Sequence, residues 1–271
     1  MNKMLTFFTA PVTALFYPPV YKDAVRSPAG RGVLYSLYLA GLSAVLVVLF
    51  LSAKVMPRAD AFAGWVKTNM PVLVWTPDGL SLENGQSAAT LVHPQYGTVA
   101  VFDMTKTSVT EADMGQAYFF VTSKKIYMRR APGQLEARDI TAAGMRSAQQ
   151  LPPRVRINGD LAMNLYQNVK KAMAFMVPFV ILILSFVFFL AMNLFYSLAG
   201  LLFNRMRSEK LGYGAIFNLT CFATTVSFTL TWIKALIPFP AFTGAFGLNI
   251  LINLVYLYFA FKITDQKSEA V

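Results

Sequence analysis

Four long stretches of the sequence are almost free of charged residues, and they constrain the fold more than any other feature. They cover residues 33–53, 172–203, 213–234 and 241–261, and Lys234 is the only charged residue among them. A transmembrane helix needs about 20 apolar residues to cross a hydrocarbon core of ~30 Å. A charged side chain at the bilayer centre costs at least about 2.5 kcal/mol, so charges are displaced to helix ends and loops. The sequence therefore predicts an α-helical integral membrane protein with four transmembrane helices.

The composition agrees with a membrane protein and excludes several other classes. Hydrophobic residues make up 56% of the chain and charged residues only 14%. The net charge of +11 does not indicate nucleic-acid binding, because the basic residues form no arm with interleaved aromatic residues. Cys221 is the single cysteine, so neither an intramolecular disulfide nor a cysteine-based metal site can form. We expect no cofactor and no metal ion.

The distribution of basic residues predicts the orientation in the membrane. Among the short segments, Lys and Arg lie in segment 1–32, in the loop 204–212 and in the tail 262–271, whereas the loop 235–240 has no charge. Since short cytoplasmic loops carry the excess of Lys and Arg, both termini are expected in the cytoplasm. Segment 54–171 is then extracytoplasmic, because long segments are translocated largely regardless of their charge.

Residues 1–32 are expected to form a cytoplasmic segment that contains an interfacial helix. The first part of this segment is apolar and rich in aromatic residues, but it is too short to cross a membrane. Pro11 interrupts the apolar run and Tyr17-Pro18-Pro19 is not a small-residue cleavage site, which argues against a secretory signal. A frayed tail is the alternative interpretation.

Segment 54–171 is predicted to be a small β-rich (α+β) domain that ends in a helix. Thr76-Pro77-Asp78-Gly79 is a reversal of the kind that joins two strands. A second turn at Pro132-Gly133 predicts an antiparallel meander over 117–139. Asn158 is the predicted N-cap of a helix that continues into the second span. The predicted strands are 72–75, 80–82, 98–102, 117–122, 125–129 and 135–139.

Hydroxyl and amide side chains form a candidate polar face inside the third and fourth spans. They recur at helical spacing, which places them on one side of each helix. Such groups either join helices by hydrogen bonds or line a path for a substrate. Ion-coupled transport is not expected, because the ionisable groups that relays need at the membrane centre are missing. The candidate face consists of Thr220, Thr224, Ser227, Thr231, Asn249 and Asn253.

The outer domain has one candidate contact surface and no recognisable catalytic site. Asp103 follows an apolar strand and precedes Thr105, where a carboxylate commonly accepts turn hydrogen bonds, so its role is either structural or in binding. His93 is the only histidine, and neither a Gly-x-Ser-x-Gly motif nor a metal-ligand pair accompanies it, so we expect no enzyme activity. Besides Asp103, the candidate surface contains the basic residues Lys124, Lys125, Arg129 and Arg130, for which a solvated face is the alternative.

Four short segments spread along the chain resemble a known family. They are Phe16-Tyr17-Pro18-Pro19-Val20-Tyr21-Lys22-Asp23, Leu80-Ser81-Leu82-Glu83-Asn84-Gly85, Val101-Phe102-Asp103-Met104-Thr105 and Lys210-Leu211-Gly212-Tyr213. Together they resemble the bacterial membrane family named domain of unknown function 1189. The resemblance implies an outward β-rich insertion, a membrane part similar to the Yip family and a bacterial cytoplasmic (inner) membrane location. The Asp-Thr pair of that family is interrupted here by Met104, and the resemblance implies no activity.

We therefore expect a non-enzymatic envelope membrane protein of uncharacterised role, whose outer domain binds or regulates a partner or an envelope ligand. The alternative is a transporter or channel-like carrier that moves a neutral or lipidic substrate through the third and fourth spans. The lipid bilayer is the expected partner in either case, and a membrane-protein complex or a homo-oligomer is open. An enzyme that uses His93 or Asp103 is the least favoured class.

Overall fold

The computed structural model describes residues 3–131, 134–141, 152–236 and 246–265. Contacts between residues divide the chain into a helical unit, residues 1–50 with 175–271, and a β unit, residues 51–174. Within the described residues, four helical segments are long and apolar enough to cross a membrane, as the sequence predicts. They are Arg31–Asn69, Gly159–Asn204, Tyr213–Lys234 and Gly247–Asp265.

The helical unit is formed by helices near both ends of the chain. Its helices are α1 (Lys3–Phe16), α2 (Pro19–Val25), α3 (Arg31–Phe50), the second part of α6 (Gly159–Asn204), α7 (Tyr213–Ala223), α8 (Thr225–Leu236) and α9 (Phe246–Asp265). The N-terminal segment is thus helical, as predicted, and its location at a membrane interface stays a prediction. Most of the predicted loop 235–240 lies outside the described residues, which end at residue 236 and begin again at residue 246.

The third apolar stretch is helical over Tyr213–Lys234, as predicted, but the helix is interrupted at one residue, Thr224. α7 ends at Ala223 and α8 begins at Thr225. At the break, the Thr224 hydroxyl donates to Asn193 Oδ1 on α6 at 2.7 Å. The same hydroxyl lies 3.2 Å from the carbonyl oxygen of Cys221 in its own turn, and such a local side-chain-to-backbone bond competes with the regular helical pattern.

Aromatic and small side chains make up the core of the helical unit. The rings of Tyr35 and Phe222 are stacked with their centroids 4.1 Å apart, and the Tyr35 hydroxyl forms a 2.8 Å hydrogen bond with the hydroxyl of Thr225. Ala10 and Ala14 of α1 are buried. Small residues allow helices to approach closely in an apolar environment, so α1 is an integral part of this core.

In its described residues, the β unit contains two sheets and three helical segments besides its share of α6. Sheet order is β2-β1-β8 in a three-stranded sheet and β3-β4-β5-β6-β7 in a five-stranded sheet. The strands are β1 (Leu73–Thr76), β2 (Gly79–Leu82), β3 (Ala88–His93), β4 (Gly97–Asp103), β5 (Phe119–Val121), β6 (Lys125–Ala131), β7 (Gln134–Asp139) and β8 (Val155–Ile157). The helical segments are the π-helical turn Leu51–Val55, α4 (Met56–Asn69) and α5 (Glu111–Met114).

All six predicted strands are confirmed within a few residues, and the structure adds β3, β8, α4 and α5. β5, β6 and β7 pair antiparallel, as predicted for the meander, while the predicted turn at residues 132–133 lies outside the described residues. The reversal between β1 and β2 is also confirmed, with Thr76 opposite Gly79. Gly79 has φ +144°, and a Cβ on it would lie 2.3 Å from the carbonyl oxygen of Ser123. Only glycine therefore fits this position.

The start of α6 follows the predicted cap. Asn158 Oδ1 accepts a hydrogen bond from the backbone N–H of Leu161 at 3.0 Å, which satisfies one of the free donors of the first turn. The first part of α6 is joined to α4 within the β unit. Asp60 of α4 accepts from the Tyr166 hydroxyl at 2.7 Å and from Lys170 Nζ at 2.6 and 2.8 Å.

Candidate functional site

The helical unit contains a cavity of about 410 Å³. This volume lies within the ~300–1,000 Å³ typical of small-molecule sites. Helices α3, α6, α8 and α9 contribute side chains to its wall, together with Thr224 between α7 and α8. The apolar part of the wall consists of Val47, Leu184, Phe188, Phe189, Met192, Phe228, Trp232 and Ile250.

Most of the predicted polar face lines this cavity. Five of its six members do so, and they are Thr224, Ser227, Thr231, Asn249 and Asn253. Thr220 does not line the cavity. Its buried hydroxyl donates instead to the carbonyl oxygen of Ile216 on its own helix at 2.9 Å. Other helices add polar residues to the wall that the sequence pattern does not predict, and these are Ser43, Ser185, Asn193 and Tyr196.

One end of the polar wall is a hydrogen-bonded network that joins three helices. Asn193 accepts from the Thr224 hydroxyl at 2.7 Å and donates from Nδ2 to Ser36 Oγ at 3.0 Å. Ser36 in turn donates to the carbonyl oxygen of Gly32 at 2.9 Å. Both polar atoms of the Asn193 carboxamide therefore have partners, and this part of the predicted face joins helices by hydrogen bonds.

Asn253 differs from Asn193, because half of its carboxamide has no partner. Its side chain is only 3% exposed, and Nδ2 donates to the Tyr196 hydroxyl at 3.0 Å. Oδ1 has no hydrogen-bond partner among the described residues. If the carboxamide were turned over, Oδ1 would face Tyr196 and Nδ2 would be the unpaired group, so one end lacks a partner in either orientation.

Ser227 is the second residue of the cavity wall with an unpaired polar atom. Its Oγ is buried and has no partner in the part of the chain that the structure describes. Leaving a buried donor or acceptor unpaired costs about 1–3 kcal/mol, and native proteins rarely do so. Both atoms, Ser227 Oγ and Asn253 Oδ1, are covered by neighbouring protein atoms and have almost no surface open to the cavity.

The cavity wall carries no formal charge among the described residues. Its members include no Asp, Glu, Lys, Arg or His. Lys234 lies just beyond the wall and donates from Nζ to Asn249 Oδ1 at 3.2 Å. An ion placed deep in the cavity would therefore lack a counter-charge, which favours a neutral ligand.

The candidate contact surface of the β unit is not a continuous basic patch. Arg129 donates to the carbonyl oxygen of Gly115 at 2.7 Å, and Arg130 forms an ion pair with Glu136. Lys124 and Lys125 are exposed. The basic run is thus partly used within the β unit.

Asp103 and His93 both accept hydrogen bonds from residues that follow them closely in the chain. Asp103 Oδ1 accepts from the Thr105 hydroxyl at 2.6 Å and from the Thr105 backbone N–H at 3.0 Å, and these bonds hold the pKa of the carboxyl below its usual value. His93 Nδ1 accepts from the backbone N–H groups of Gln95 and Tyr96 at 3.0 and 3.3 Å. Both side chains therefore stabilise turns. Among the described residues, no group of three or more His, Cys, Asp or Glu side chains could hold a metal ion.

The comparison with protein families gives a match over almost the whole chain. The model of the family described as "Protein of unknown function (DUF1189)" matches residues 8–261. The chain belongs to this family. The matched residues include most of both units and every residue of the cavity wall. The match confirms the family resemblance indicated by the four short segments of the sequence. Neither curated proteins nor solved structures yield a match.

The residue that sequence reasoning missed most clearly is Asn218. It is fully buried, and its Oδ1 accepts from the backbone N–H of Gly32 at 2.8 Å. Its Nδ2 donates to the carbonyl oxygen of Pro28 at 2.9 Å. A signal was available, because an amide within a long apolar stretch needs partners from another segment.

Proposed function

We propose that this protein is a non-enzymatic membrane protein that binds a neutral or lipidic molecule in the cavity of its helical unit. The observation that carries the proposal is the cavity itself, which has about 410 Å³ and no charged residue among the described members of its wall. The apolar and aromatic remainder of the wall is suited to a hydrocarbon chain. Binding is the first step of the carrier function that the polar face suggests.

The proposal includes a location and an orientation. The protein lies in a bacterial cytoplasmic membrane, both termini are cytoplasmic, and the β unit is on the other side. The excess of Lys and Arg in the short segments 1–32, 204–212 and 262–271 supports this orientation. The lipid bilayer then surrounds the helical unit and is the source from which a lipidic ligand enters.

A binding role for the β unit is the second candidate. The sequence favours this role, but Asp103, Arg129 and Arg130 already have partners within the unit. Exposed Lys124 and Lys125 are what supports it. The cavity is the better supported site, because it is a concave volume of ligand size, whereas exposed lysines are solvated at little cost.

The test uses the full chain in lipid nanodiscs with a monoacylglycerol that carries a photoreactive diazirine in its acyl chain. We expect cross-links at residues of the cavity wall such as Met192, Phe228 and Ile250. Ser227→Leu places a larger side chain in the cavity and should reduce these cross-links. Ser208→Leu is the control, because Ser208 is exposed and lies outside the wall. Equal labelling in both variants, spread over the lipid-facing helix surfaces, would contradict binding in the cavity.

A further inference from the structure

The two sheets of the β unit have four outer edges among the described residues, and three of these edges are protected. An open edge presents unpaired N–H and C=O groups and pairs readily with another strand. In the three-stranded sheet, β8 has only three residues, and on β2 the Leu80 N–H donates to the carbonyl oxygen of Ser123 at 2.6 Å. In the five-stranded sheet, the edge strand β7 carries Glu136, Arg138 and Asp139, and charges on an edge strand oppose pairing.

The fourth edge is β3, and it is long, uncharged and exposed. This strand has six residues. The sequence 84–102, which includes β3 and most of β4, contains no Asp, Glu, Lys or Arg. On one face of β3, Ala88 and Thr90 are exposed and Val92 is 57% exposed. None of the protections of the other three edges is therefore found on β3 in the described part of the chain.

The backbone of β3 offers hydrogen-bonding groups to a further strand. The N–H of Met104 donates to the carbonyl oxygen of Ser87 at 2.8 Å, which directs the Ser87 carbonyl towards β4. Successive residues of an antiparallel strand alternate in this direction, so Ala88 and Thr90 direct their N–H and C=O groups away from β4. Within the described residues, no hydrogen bond joins this outer side of β3 to another segment.

From these observations we infer that β3 pairs with β3 of a second copy of this chain, antiparallel and around a twofold axis at Thr90. Thr90 then lies opposite the same residue of the second copy, and Ala88 lies opposite Val92. On the other face, Ala89 lies opposite Leu91, so the buried side of each strand faces the same side of the joined sheet. Pairs of threonines and pairs of apolar side chains across two strands are both favourable.

The charge of the protein favours a second copy as the occupant of this edge. The net charge is +11, so like charges oppose contact between two copies over most of the surface. The β3 edge avoids this repulsion, because the strand and the residues that flank it in the sequence carry no charge. A twofold contact uses the same patch on both copies, so the patch must be complementary to itself. An acidic partner, in contrast, would gain nothing from an uncharged edge.

The test uses the full chain in native membranes, with Cys221→Ser and one new cysteine. Residues that exchange hydrogen bonds across an antiparallel pair have Cα atoms about 5.5 Å apart, within the range of about 4.4–6.8 Å that a disulfide spans. We expect Thr90→Cys to form a disulfide-linked dimer on mild oxidation. Ala137→Cys is the matched control and should stay monomeric, because Ala137 is also exposed but lies on the charged strand β7.

Two further variants test the register and the hydrogen bonds. A mixture of Ala88→Cys and Val92→Cys chains should give the mixed dimer, whereas either chain alone should give little dimer. Thr90→Pro removes the outward N–H, and a proline is tolerated on the free side of an edge strand. We expect this variant to lower the protein mass in mild detergent from twice 30.0 kDa to 30.0 kDa, while its far-ultraviolet circular dichroism is retained.

Three outcomes would overturn the inference. Equal dimer yields at positions 90 and 137 would indicate random collision in the membrane. A disulfide from position 90 to a different protein would make this edge a docking strand for another envelope component, and the pairing of two copies would be wrong. If Ala88→Cys alone gives as much dimer as the mixture, the antiparallel pairing around Thr90 is wrong. Should Thr90→Pro not fold, the cysteine variants decide, because their positions are exposed.

Discussion

The carboxamide of Asn218 caps the first turn of α3 from another helix, since its Oδ1 accepts a hydrogen bond from the backbone N–H of Gly32 at 2.8 Å. Gly32 is the second residue of α3, and the first four N–H groups of a helix have no partner within it. The Nδ2 group donates at the same time to the carbonyl oxygen of Pro28 in the turn before the helix. One buried side chain thus joins α7 to the start of α3.

The close approach at Gly32 leads to a first prediction. A Cβ on Gly32 would lie 2.8 Å from Asn218 Oδ1 and 3.0 Å from Cys221 Sγ, so Gly32→Ala must displace α7. We expect a loss of about 1–3 kcal/mol in the free energy of unfolding, measured by thermal unfolding in detergent. Gly41→Ala is the matched control in the same helix, because a Cβ there meets nothing within 4 Å. Equal melting temperatures of the two variants would refute the proposed clash.

Arg207 gives a second prediction. Its side chain is 7% exposed, and its guanidinium donates to the carbonyl oxygens of Phe261 at 2.8 Å and of Thr264 at 3.1 Å, which lie in the last turn of α9. A lysine cannot reproduce this forked geometry. We expect Arg207→Lys to lower the free energy of unfolding by about 1.5–3 kcal/mol, whereas Arg205→Lys, at an exposed position, should have little effect. Equal losses would indicate that charge alone matters.

The third prediction concerns acid and the β unit. The ion pair with Lys106 and the hydrogen bonds of the Thr110 capping box hold the pKa of Asp113 well below its usual value. The Thr105 hydroxyl and backbone N–H have the same effect on Asp103. A lowered pKa in the folded state means that the stabilisation is complete above the unfolded value of about 3.9 and is lost as the pH falls through the folded value.

We therefore expect the β unit to lose stability below about pH 4, detected by the fluorescence of buried Trp75 during chemical unfolding of the full chain. The double variant Asp103→Asn, Asp113→Asn should be less stable at pH 7 and should depend less on pH between 5 and 2. An unchanged pH dependence in the double variant would show that these carboxylates do not control acid sensitivity.

The fourth prediction tests the proposed orientation. Single cysteines are placed at Ser87, Ser208 and Ser268 in a Cys221→Ser background, and intact cells are treated with an impermeant maleimide. The native Cys221 is fully buried, so its replacement should leave the surface unchanged. We expect labelling at position 87 alone, because Ser87 belongs to the β unit. Labelling at 208 and 268 instead would reverse the orientation and place the β unit in the cytoplasm.

Local sequence patterns determined much of this protein. The long helices could be predicted because a charged residue is costly in lipid whatever the rest of the chain does. A long stretch without charges therefore indicates a span by itself. The strands and the β1–β2 reversal could be predicted because β-branched residues favour strands and turn residues favour turns at their own positions in the chain. The cap at Asn158 is equally local, since its partner is only three residues away. Helix α4 escaped prediction because Gly64, a poor helix former, lies within it.

The cavity and the interruption at Thr224 were decided by the tertiary structure alone. Spacing along a helix indicates that Thr224, Ser227 and Asn253 lie on polar faces, but it cannot distinguish a hydroxyl that joins two helices from one that has no partner. That distinction depends on residues far away in the chain. Asn193 completes the hydrogen bonding of Thr224 from α6, whereas Tyr196, three residues later, satisfies only half of Asn253. The sequence by itself therefore determined which segments are apolar and which residues are polar within them, and the packing of α6 against α8 and α9 decided which of these polar groups find partners on another helix.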